Sequence, residues 1–151
     1  MIAPISFFVE GKAQPAGSKR GFAMKKGGAY TGRVIITDDN PKSKGWKETV
    51  KDAAKKVAPK VPLTCPIKLR VCFYVARPMG HFGTGKNAAI LKPSAPQFPV
   101  VKPDTTKLLR GLEDACTSLI WRDDAQIVSQ HVYKRYGDRP GAQVEVSEEC
   151  R

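Results

Sequence analysis

Three carboxylates, Asp104, Asp123 and Asp124, bracket one predicted helix in a chain that carries 26 Lys and Arg against 14 Asp and Glu. They sit in two runs, Lys102-Pro103-Asp104-Thr105-Thr106-Lys107-Leu108-Leu109-Arg110 and Trp121-Arg122-Asp123-Asp124-Ala125-Gln126-Ile127-Val128. Acids this scarce, set among cations, point to a divalent metal held against a polyanion. Mg²⁺ takes one or two carboxylates together with waters and phosphate oxygens. Such an ion polarises a phosphodiester and lowers the pKa of a bound water. A neighbouring Arg110 or Lys107 would stabilise charge developing on the phosphate. The chemistry would be phosphodiester hydrolysis, and it needs no small-molecule cofactor.

Each acid also has a plainer role. An Asp at a helix start is very often a cap contributing about 1 kcal/mol, and Asp-Asp before a strand often makes a turn. Distance constrains the functional reading further, because a helix from Thr105 to Leu119 is about 22 Å long. Its ends cannot meet along the helix itself. Either the Ser118–Arg122 connection folds back, or Asp123-Asp124 meets side chains further along the helix, or two subunits bring opposite ends together.

The elements that position these residues are readable from periodicity. Residues 2–10 form a first strand, and Arg33–Thr37 a short β-branched one. Trp46, Val50, Ala53, Ala54 and Val57 recur at helical spacing, before Pro59 and Pro62. Ile67 to Val75 alternates apolar and polar residues, as a strand with one face in the core does. Leu108, Leu109, Leu112, Ala115, Cys116 and Leu119 make the buried stripe of the second helix, with Asp104 at its N-cap. A strand from Ala125 to about Tyr136, a turn at 137–141 and a strand Ala142–Val146 close the chain as a hairpin. The order predicts one α+β domain over 1–151, a mixed sheet covered by two main helices.

Two segments lack this regularity. Residues 11–32, a basic loop rich in glycine and lysine with Phe22 and Tyr30 interspersed, can lie along a phosphate backbone or form a mobile hairpin. Residues 78–100 are a long Pro-containing loop in which Arg77, His81, Lys86 and Lys92 suit a basic flap.

A formal charge of +12 on 151 residues favours a nucleic-acid partner. Lys12, Lys19, Arg20, Lys25, Lys26, Lys102 and Lys107 are the candidate phosphate contacts. The N-terminus has neither a basic region nor a long apolar run, so no membrane association is expected. The cysteines, Cys65, Cys72, Cys116 and Cys150, show no zinc-site spacing and fit a reducing cytoplasm. Cys72 and Cys116 are placed on the apolar faces of a strand and a helix.

Lys102-Pro103-Asp104 with Leu108 and Arg110, then Glu113-Asp114-Ala115, then Trp121 to Val128, resembles the signature of RusA-type Holliday-junction resolvases, a family common in phages and prophages. The match spans roughly residues 102–135. The resemblance implies a homodimer that cuts four-way DNA junctions symmetrically with Mg²⁺ or Mn²⁺, in recombination and repair. By position, the first family aspartate falls on Asp104 and the acting aspartate of the later pair on Asp124, with Asp123 beside it. The family lysine falls on Arg110, which keeps the charge and loses the lysine geometry. A second family aspartate falls on Thr106, a neutral hydroxyl ligand, and Asp123, Glu113 or Asp114 would have to make up that charge. Asp114 is also placed to pair with Arg110 across one helical turn. A non-catalytic junction-binding protein, or a nuclease for forks or flaps, is the alternative.

Overall fold

The computed structural model describes residues 1–150. Its elements are β1 (Ile5–Glu10), β2 (Lys19–Lys26), β3 (Ala29–Asp38), α1 (Pro41–Lys55), β4 (Ile67–Val75), α2 (Thr105–Cys116), β5 (Ile127–Tyr136) and β6 (Gly141–Glu148). Four strands form one sheet in the order β1-β6-β4-β5. β6 runs antiparallel to both β1 and β4, whereas β4 and β5 are parallel, so β4 lies between β5 and β6 and the C-terminal hairpin expected from the sequence does not form. Parallel neighbours need a long crossover, and α2 supplies it. The expected α+β fold, with a mixed sheet and two helices, is the one observed.

Alternation explains which face is covered. Ile67, Leu69, Val71 and Phe73 of β4, with Ala142, Val144 and Val146 of β6, point to one side and are buried. Trp46, Val50 and Ala54 of α1 and Leu108, Leu112, Ala115 and Cys116 of α2 close the core over them. α1 starts cleanly: Asn40 accepts from the Lys42 amide at 3.2 Å, and Pro41 occupies the first helical position, where no amide is needed. Val57, read as the end of its stripe, lies beyond the helix and is exposed. Cys116 is buried as expected, but Cys72 is only half-buried, since it alternates to the sheet face opposite Phe73.

Residues 11–32 are more ordered than a loop. Residues 19–26 are the strand β2, and the strand expected at 33–37 extends over 29–38 as β3. The two pair from Lys19↔Asp38 to Lys26↔Ala29, turned by Gly27 and Gly28 at φ +59° and +83°. Positive φ at both central residues is the geometry of a tight primed hairpin turn. The ribbon pairs with no strand of the main sheet. Solvent on both faces removes the apolar/polar alternation that identifies a strand.

The 78–100 loop contains two 3₁₀ turns, Met79–His81 and Gly85–Asn87. Two of the cations expected to form a basic flap hold the loop itself instead. Arg77 stacks 4.2 Å from the Tyr136 ring centroid and donates to the Pro96 carbonyl, and Lys92 donates to that of Gly80. No helix among the described residues is long and apolar enough to cross a membrane.

Candidate active site

At the N-terminal end of α2, the Asp104 carbonyl accepts from the Leu108 amide at 3.1 Å and starts the helix. Its carboxylate makes no capping hydrogen bond and is exposed, so the simple capping role does not use it. Lys134 of β5 fixes the approach, donating to the carbonyls of Val101 and Pro103 at 2.6 and 2.9 Å. The Ala16 amide donates to Lys107 O at 2.9 Å, which lays the segment after β1 against the first turn of α2. Lys12 lines a small cavity with Pro103 and Leu108, while Lys102, Thr106 and Lys107 are exposed. This end thus gathers the free Asp104 carboxylate, the Thr106 hydroxyl and several cations.

The C-terminal end is built by a sharp reversal. α2 stops at Cys116, three residues before the expected Leu119, because Ile120 and Trp121 must turn back into the core, where both are fully buried. Thr117 leaves helical geometry and Ser118 adopts φ +67°. The Ser118 amide then donates to Trp121 O at 2.7 Å. Asp124 is thereby returned to the helix end, where it accepts from the Trp121 indole Nε1 at 2.8 Å and from the Thr117 hydroxyl. Of the three sequence alternatives, the connection does fold back, but only onto the last turn.

The neighbour Asp124 acquires there is Glu113, whose carboxylate also accepts from Gln130 Nε2. Burial, then the negative charges of Asp124 and Asp114, push the Glu113 carboxyl up to about 7 against the opposing pull of Arg110. Burial first, then Asp124 and Glu113, push the Cys116 thiol up to about 12, which leaves it unreactive. Asp123 caps the short turn that follows it, accepting from the Ala125 amide at 2.8 Å, and Gln126 completes the reciprocal cap. Asp114 is bound by Lys47 of α1 at 2.8 Å rather than by Arg110. Arg110 is exposed and makes no ion pair among the described residues.

The twelve residues of α2 hold the two ends about 18 Å apart. Two ligands of one Mg²⁺ lie within about 4 Å of each other. A single chain therefore cannot place Asp104 and Asp124 on the same ion. No group of three His, Cys, Asp or Glu among the described residues is placed to hold a metal. The donors at each end nonetheless suit a hydrated divalent ion that completes its shell with phosphate oxygens: Asp104 with Thr106 at one, Asp124 with Glu113 at the other. A cation beside Glu113 would oppose the burial and the neighbouring negative charges that raise its carboxyl.

Sequence reasoning gave Glu113 only a minor place and passed over Trp121, Gln130 and Lys134 as site residues. Lys134 leaves a signal, since it pairs with buried Phe73 and so falls on the covered face of β5, where a lysine needs a reason. Gln130 leaves none.

A basic mixed-sheet domain that presents carboxylates at both ends of one helix is of a class built to meet a polyanion. Residues 12–147 match the family described as endodeoxyribonuclease RusA, and the chain belongs to that family of endodeoxyribonucleases. It is also similar to the uncharacterized protein YqaN of Bacillus subtilis (strain 168), at 29% identity over 144 residues, covering 95% of this chain and 96% of the relative.

Proposed function

We propose that this protein is a divalent-metal-dependent endonuclease that resolves four-way DNA junctions by paired symmetric cuts, acting as a homodimer in the bacterial cytoplasm. The observation that carries this reading is the Asp104 carboxylate, placed at a helix start among cations, where it makes no capping hydrogen bond and no ion pair among the described residues. In a two-fold dimer the N-terminal end of one α2 can face the C-terminal end of the other, so that Asp104 of one protomer and Asp124 of its partner share a site twice over. Two sites related by a two-fold axis match a junction that must be cut twice.

Asp104, Asp124, Glu113 and the Thr106 hydroxyl would hold the Mg²⁺ or Mn²⁺, with Asp123 close by. When bound, the ion supplies a water of lowered pKa and polarises the scissile phosphate. Trp121 and Thr117 orient the Asp124 carboxylate, and Lys134 positions the segment that presents Asp104. Arg110, exposed on α2 between the two ends, offers its guanidinium to the charge that develops on phosphate. Lys12, Lys102 and Lys107, with Lys19, Arg20, Lys25 and Lys26 of the ribbon, hold the DNA through its phosphates and read no sequence. Thr106, which removes one negative charge from the site, favours a second reading, a protein that binds junctions without cutting them.

The deciding experiment is Mg²⁺-dependent cleavage of a labelled synthetic four-way junction beside a linear duplex and a fork, with Asp104→Asn as control. Paired symmetric nicks in the junction alone, absent from the variant, are expected. Tight junction binding without cleavage in Mg²⁺ or Mn²⁺ would select the binding protein, and cutting confined to the fork would select a fork nuclease.

A further inference from the structure

The β2–β3 ribbon is the largest feature that the fold itself does not use. An isolated two-stranded hairpin is marginal in water, yet this one carries large apolar side chains in the open: Phe22 is 56% exposed, Tyr30 69%, Val34 63% and Ile36 67%. Apolar surface of this kind on a free ribbon marks a binding surface.

Its root, by contrast, is firmly tied. Asp38 accepts from the Asn40 amide and the Ser43 hydroxyl, each at 2.9 Å, and the Asp39 amide donates to Ser18 O at 3.1 Å. Two residues before Ser18, the Ala16 amide is bonded to the first turn of α2. The ribbon is therefore an arm held in a set direction, rooted beside the helix end that presents Asp104.

Charge identifies what the arm grips. Residues 19–38 hold five cations, Lys19, Arg20, Lys25, Lys26 and Arg33, and one acid, Asp38, which is spent at the root. Docking such an arm on a second copy of a chain of net charge +12 would be opposed by repulsion, whereas a polyanion attracts it. Lys25 Nζ lies 4.5 Å from the Tyr30 ring centroid, and cations beside exposed aromatic rings are what strand-binding surfaces use to hold a phosphate and stack on a base. A two-stranded ribbon is also narrow enough to enter a DNA groove.

We propose that the β2–β3 arm enters the opening of branched DNA, its cations on the phosphates and Phe22 and Tyr30 stacked on bases exposed where the duplex arms part. This rests on the branched-DNA reading of the protein. Stacking of this sort also explains how a phosphate-binding protein that reads no sequence could select a branch, since only there are base faces accessible without breaking pairs.

The test uses the full chain in chelator, so that no DNA is cut, with a four-way junction carrying 2-aminopurine at the branch. Wild type is expected to prefer the junction to linear duplex and to raise the probe's fluorescence. The double variant Phe22→Ser with Tyr30→Ser should lose that rise and about tenfold in junction affinity, while its duplex affinity stays within about twofold. Trp46 and Trp121 are buried, so Phe22→Trp adds an exposed reporter that keeps an aromatic ring in place. Its emission should be quenched by junction and unchanged by duplex. If wild type shows no preference for the junction, the branched-DNA reading falls and the proposal with it. If wild type prefers the junction but the double variant matches it and the Phe22→Trp emission is unmoved, the arm proposal alone falls. A wild-type-like double variant that instead sediments as a smaller species would make the arm a contact between subunits.

Discussion

The separation of Asp104 from Asp124 leads to a test that uses two inactive proteins. If the site is shared between protomers, Asp104→Asn removes one ligand from both sites of a dimer, and Asp124→Asn does the same from the other side. A dimer containing one chain of each variant has a different fate. One of its sites draws Asp104 and Asp124 from the two unaltered positions and is complete, while the other carries both substitutions. Random exchange makes about half the dimers mixed, so about a quarter of all sites should be intact. Nicking of a labelled junction should return to roughly that fraction of the wild-type rate, as single nicks in place of paired cuts. Mixed dimers isolated with two affinity tags should reach about half. The assay is denaturing gel analysis of the labelled strands in Mg²⁺. Absence of nicking by isolated mixed dimers, while dimers of wild type with either variant still nick, would refute a shared site and with it the argument from the length of α2.

Each single variant should bind the junction at least as tightly as wild type while failing to cut it, because loss of a carboxylate lessens repulsion of phosphate; weakened binding by filter or gel shift would indicate misfolding instead. Thr106→Asp should keep or raise cleavage and lower the Mg²⁺ concentration needed for half-maximal rate, and reduced activity at every Mg²⁺ concentration would show a site built around threonine. In chelator, Glu113 should weaken the fold as pH rises, because its carboxyl titrates near about 7 when folded against an ordinary 4.5, so the folded state binds the proton more tightly across that window. The cost above pH 7 is about 1–2 kcal/mol once solvent screening of a half-buried group is allowed for. Glu113→Gln should accordingly raise Tm by about 3–6 °C at pH 8 and leave it nearly unchanged at pH 4.5; equal shifts at both would refute the assignment. Lys134→Met leaves the Val101 and Pro103 carbonyls unpaired and should cost about 2 kcal/mol in urea unfolding, with a larger loss in cleavage than in junction binding.

What could be read from the sequence follows which groups are buried on one side. β4 was legible because Ile67, Leu69, Val71 and Phe73 alternate against a solvated face, and α2 because its leucines recur every three or four residues. Of the β2–β3 arm only the β-branched run Arg33–Thr37 was, since the strands bury neither face and the glycines read as loop. The site divides in the same way. Asp104 and Asp124 stand out as acids in a basic chain, but their separation depends on where α2 stops, and nothing in the periodicity of Leu112, Cys116 and Leu119 marks that point. It is set by Ile120 and Trp121, which gain more by turning into the core than by extending the helix, and by Thr117, whose hydroxyl bonds back to Glu113 O at 2.9 Å. The same turn swings Asp124 onto Trp121 and beside Glu113. Core packing at the end of one helix thus decides which carboxylates a single chain can bring together, and keeps Asp104 apart from Asp124.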